Sequence, residues 1–133
     1  MAFERRRIIR ALESYERIIP EHVVKIILFP HSREVAHWKN ELFAWADYLT
    51  KLRLKGSLQP MGAKFAYKYL YDGPFVGNEL GMTNHFIQVA ELTNQTTLNV
   101  DPQQVHDTLK DFLTDLAIAI GQGKDVRQVI NSL

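Results

Sequence analysis

Six apolar residues set the strongest constraint on this chain. Val35, Trp38, Leu42, Trp45, Leu49 and Leu52 recur at intervals of 3, 4, 3, 4 and 3. On an α-helix that alternation places all six along one stripe, whereas on a strand it would scatter them over both faces. The spacing predicts a helix over residues 33–54, with Ser32 as its cap, Glu34 in its first turn and Gly56 as its stop. Two tryptophans on one seam require a thick helix–helix contact, inside the chain or against a second copy.

Other stretches point the same way. Phe3, Ile8, Leu12, Tyr15 and Ile19 recur at helical intervals over residues 3–19, and Pro20 is expected to end that helix or start the next. Asp101-Pro102-Gln103-Gln104 has the cap, first-position proline and following glutamine of a helix start, and Val105, Leu109, Phe112, Leu116 and Ile120 supply its buried stripe. Gly121 and Gly123 end it, and a short helix with Val126, Val129 and Ile130 inward closes the sequence. Residues 73–81 read as a glycine-rich loop, with Thr83 or Asn84 capping a helix that carries Phe86, Val89 and Leu92. Residues 94–100 read as a connector. Two segments are ambiguous: 23–29 is rich in β-branched residues, and Phe65, Tyr67, Tyr69 and Tyr71 alternate as a strand would. The expected fold is an all-α, single-domain bundle of five or six helices over residues 1–133, around the long helix at 33–54. The alternative is an α+β domain with a small hairpin from 23–29 and 65–71.

At 133 residues the chain can bury a core without covalent staples. It has no cysteine, which removes disulfides, thiolate zinc sites, iron–sulfur clusters and cysteine nucleophiles. The stretch after Met1 is charged, and apolar runs such as Ile26 to Phe29 are too short to cross a bilayer. A cytoplasmic protein with no membrane contact is expected.

The net charge of +1 hides an uneven distribution. Residues 1–70 carry 13 Lys and Arg against 7 Asp and Glu; residues 71–133 carry 3 against 8. The cations gather at Arg5, Arg6, Arg7 and Arg10, and again at Lys51, Arg53, Lys55, Lys64 and Lys68. Asp107, Asp111 and Asp115 form an acidic ladder of period four. Such asymmetry either joins parts of one fold, joins two copies, or attracts a polyanion.

Chemistry-bearing motifs are sparse. Glu34, His37 and Glu41 have metal-ligand spacing on one helix, but a carboxylate-bridged centre needs a second such segment and none is present, so no metal is expected. Gly121-Gln122-Gly123-Lys124 lacks the spacing, the following Ser or Thr and the preceding strand of a phosphate-binding loop. No serine lies in a nucleophile-elbow context. Arg17 and His22 have an Arg-x4-His spacing that resembles the motif of the HEPN ribonucleases. The resemblance covers six residues, with Pro20 inside it, and implies that Arg17 and His22 would act on a phosphodiester.

Three functions follow as expectations, none with a cofactor. The first is a non-catalytic helical interaction module that self-associates, with Trp38, Leu42, Trp45 and Leu49 at the interface. The second is a nucleic-acid-binding module that uses Arg5, Arg6, Arg7, Arg10, Lys51, Arg53, Lys55, Lys64 and Lys68. The third is a ribonuclease that uses Arg17 and His22.

Overall fold

A computed structural model describes residues 2–52 and 79–133. Every regular element among them is an α-helix: α1 (Ala2–Leu28), α2 (Val35–Leu52), α3 (Glu79–Thr93), α4 (Pro102–Gln122) and α5 (Val126–Asn131). The fold is an all-α bundle. Residues 23–28 are helical, so the hairpin of the α+β alternative has lost one of its strands; residues 65–71 lie outside the described residues, as do Gly56 and residues 73–78.

Proline does not divide α1 as the sequence suggests. Pro20 sits inside a continuous helix and is fully buried. A proline ring removes one backbone donor from the ladder, but Ile19, Val23, Val24 and Ile26 on the same helix are 4% exposed or less. Burial of that apolar stripe outweighs a missing bond, because packing rather than propensity supplies most helical stability.

The turn after α1 prepares α2. Phe29 N–H donates to the Lys25 carbonyl, Ser32 N–H to that of Phe29, and the Ser32 hydroxyl accepts from Glu34 N–H at 3.1 Å. Ser32 therefore caps the turn, and α2 begins at Val35. The Asp101 carboxylate likewise accepts from Gln103 N–H at 3.0 Å, with Pro102 in the first helical position. Gly121 continues α4, and the stop falls on Gly123, whose φ of 70° is left-handed.

The third helix departs most from expectation. It is already formed at Glu79, so Gly81 is helical and Thr83 lies within the helix. Its buried stripe is Thr83, Phe86, Ile87 and Ala90, while Leu92 is 79% exposed. Those four are spaced as a helix face requires, but the threonine is polar and breaks the apolar stripe in the sequence.

One contiguous core joins the bundle. Within it α4 packs against α1, α2, α3 and α5, making it a second centre beside α2. The short α5 seats Val126 and Ile130 on α2 and α4. Its Arg127 reaches Asp47 on α2 at 3.1 Å and lies over the Phe43 ring, 5.0 Å from the centroid. No described helix is long and apolar enough to cross a membrane.

Candidate nucleic-acid interface

The seam of α2 is consumed within the chain. Trp38, Leu42 and Leu49 are 5%, 1% and 0% exposed, so in this fold they are closed to a partner. Trp45 alone of the expected interface is half-buried. Its ring lies 6.1 Å from that of Tyr15 and 4.8 Å, edge to face, from that of His22, both on α1.

These contacts fix how the first two helices are paired. Tyr15 meets Tyr48 edge to face with centroids 6.0 Å apart. Seven residues further along α1, His22 meets Glu41, seven residues back along α2. Three more bring Lys25 over Trp38, three residues back again, at 6.0 Å. The helices thus run antiparallel in strict register, as an αα-hairpin joined by a short turn does. Following that register from Tyr15 toward the start of α1 reaches Arg10 on one helix and Lys51 near the end of the other.

The structure therefore brings Arg10 and Lys51, one residue from each basic group, toward one end of the hairpin. Arg10 and Lys51 are exposed there. Arg5, Arg6 and Arg7 lie in α1, within one and a half turns of Arg10. Arg10, Ser14 and Arg17, at intervals of 4 and 3, form one exposed stripe. Arg53, Lys55, Lys64 and Lys68 lie outside the described residues. The acidic ladder is elsewhere: Asp107, Asp111 and Asp115 are exposed on α4.

At the other end of the ring cluster lies a histidine–carboxylate group. Glu41 Oε2 is 3.0 Å from His22 Nε2, and Glu41 Oε1 takes His37 Nε2 from one turn back on α2. His22 Nδ1 faces the Ile18 carbonyl at 3.1 Å. Burial pushes the His22 pKa below the ordinary imidazole value, with Lys25 acting in the same direction, while Glu41 and the Ile18 carbonyl oppose it. Each ring nitrogen is taken up by its own oxygen, and among the described residues no group of three His, Asp or Glu is placed to hold a metal ion. Glu34, the outer member of the expected ligand set, is exposed on the turn before α2.

Arg17 and His22 are not brought together. Five residues apart on a continuous helix, they point about 140° away from each other; Arg17 is exposed, whereas the His22 side chain is 13% exposed and faces α2. The His22–Glu41 bond across two helices carries no sequence signal, because nothing in the spacing of residues 22 and 41 announces it. The His37–Glu41 pair, by contrast, has the i to i+4 spacing of neighbours on one helix face. Compared with protein-family models, with curated proteins and with solved structures, the chain matches none.

Proposed function

We propose that this protein is a non-catalytic helical binding module whose contact surface is the basic end of the α1–α2 hairpin and whose ligand is a nucleic-acid backbone. The observation that supports this best is the antiparallel register, which carries Arg10 and Lys51, 41 positions apart in the sequence, to one end of the two helices. Neither side chain is drawn into an ion pair among the described contacts. Exposed cations gathered at one end attract phosphates and release their counterions, so binding tightens steeply as salt is lowered. The ladder of Asp107, Asp111 and Asp115 repels a polyanion from α4 and so orients the approach. Self-association through Trp38, Leu42 and Leu49 is the weaker reading, since an interface needs those side chains on the outside.

The test is fluorescence anisotropy with labelled RNA and DNA at low and near-physiological salt. Binding should weaken linearly in log–log form as salt rises, and Arg10→Gln with Lys51→Gln should weaken it across all sequences and flatten the slope. Absence of binding at low salt would refute the proposal.

A further inference from the structure

We infer that the outward face of α3, with the connector after it, is a contact for a second copy of this chain. The pairing is two-fold, and Leu92 of each copy enters the groove of the other. This contact is independent of the basic end. Leu92 is 79% exposed, the most exposed large apolar side chain among the described residues. His85 and Gln88 share its face at helical intervals, opposite the buried stripe of the helix. Leu92 also lines an open groove of about 620 Å³ with Gln88, Glu91, Gln95, Thr96 and Thr97. A knob and a groove on one patch are what an isologous contact requires, because each copy supplies both parts.

Charge selects a copy of this chain as the occupant. From residue 80 to residue 100 only Glu91 carries a formal charge, whereas Asp, Glu, Lys and Arg make up 23% of the chain. Glu91 is half-buried, and its carboxylate accepts the Leu98 N–H at 2.8 Å. Depletion of charge is the compositional mark of an interface core. A two-fold axis sets a surface against itself. Arg10 and Arg17 on α1, or the ladder of Asp107, Asp111 and Asp115 on α4, would each repel their own copies there. The amides of Gln88 and Gln95 do not, since a carboxamide carries both donors and an acceptor and pairs with its like. Neither amide is hydrogen-bonded to another described residue. One helix face and a connector make a small patch, under the roughly 1,200 Å² where stable interfaces begin. The dimer is therefore weak, and dilute solutions of about 5 µM, in which unfolding is followed, hold monomers.

The experiment is sedimentation of the intact protein from about 5 µM to about 1 mM, at low and high salt. The weight-average mass should rise from that of one chain toward that of two. With no charge in the contact, the rise should be the same at both salt concentrations. Leu92→Glu, checked for folding by thermal melting, should weaken association about tenfold or more by opposing two carboxylates. Mixing it with Leu92→Lys should restore association, because the pair then carries opposite charges. A wild type that stays monomeric over the whole range overturns the inference. So does a folded Leu92→Glu that associates as the wild type does. Association that high salt abolishes overturns it too, since that behaviour belongs to a basic end docked on an acidic ladder.

Discussion

His22 on α1 and Glu41 on α2 are joined by a 3.0 Å contact between ring Nε2 and carboxylate Oε2, and the opposite ring nitrogen faces the Ile18 carbonyl. Both nitrogens of one imidazole therefore look at acceptors. A neutral ring has one N–H and satisfies one of them; an imidazolium satisfies both. Burial acts against the charge that would complete the pair, and the balance leaves the His22 pKa lowered.

The sign of the pH dependence follows. A histidine whose folded pKa lies below the unfolded value near 6.5 favours folding most when neutral. The stability that neutral His22 contributes is complete above about pH 6.5 and is lost as pH falls through the folded-state value. Between about pH 7.5 and 5 the denaturation midpoint should fall further in the wild type than in His22→Gln. Glu41→Gln removes a charge that holds the His22 pKa up, so a ring titration by NMR should show it lower still. An unchanged or raised value would contradict the role given to Glu41.

Among the described residues Thr83 is the one polar residue in the buried core, 1% exposed, with its hydroxyl 2.9 Å from His106 Nδ1 on α4. Thr83→Val keeps the shape and deletes the bond. His106 is half-buried and partly within reach of water, so the expected cost is modest, about 1 kcal/mol by urea denaturation. A cost near zero would mean that the hydroxyl contributes packing alone.

Two helices end on the same hydrogen-bond pattern with different residues. Gly123 at φ 70° closes α4, with Lys124 N–H donating to the Ala119 carbonyl; Gln95 at φ 52° closes α3, with Thr96 N–H donating to that of Glu91. Left-handed backbone is costly for a residue with a Cβ. Gln95→Gly should therefore stabilise the protein by about 0.5–1 kcal/mol, and Gly123→Ala should destabilise it by about 1 kcal/mol. Destabilisation by Gln95→Gly, or no cost in Gly123→Ala, would contradict the assignment of these two stops.

Leu49 is 0% exposed on the seam of α2. Leu49→Ala should cost about 2–5 kcal/mol in unfolding free energy, the range for truncating a buried leucine. That cost should not vary with protein concentration if the seam is intramolecular. A midpoint that shifts with dilution would return the seam to an interface between copies.

Local rules of spacing and capping carried the sequence reading a long way. The stripe from Val35 to Leu49, the Asp101–Pro102 start and the inward face of α5 depend only on neighbours a turn or two apart, so they were legible. What failed was decided by distant packing. Pro20 reads as a breaker until the buried residues on both sides of it are known, and Thr83 reads as a cap until His106 appears opposite it. The candidate surface divides the same way. Its cations stand out in the sequence, but only the register of α1 against α2 shows Tyr15 meeting Tyr48 and Arg10 approaching the end that carries Lys51.

The most direct measurement is the salt dependence of single-stranded RNA and DNA binding by anisotropy, wild type against the Arg10→Gln, Lys51→Gln double variant. Binding at low salt with a steep slope, shallower and weaker in the variant, is the predicted result. No binding at low salt, or identical curves for both proteins, would contradict a basic working surface at this end of the hairpin.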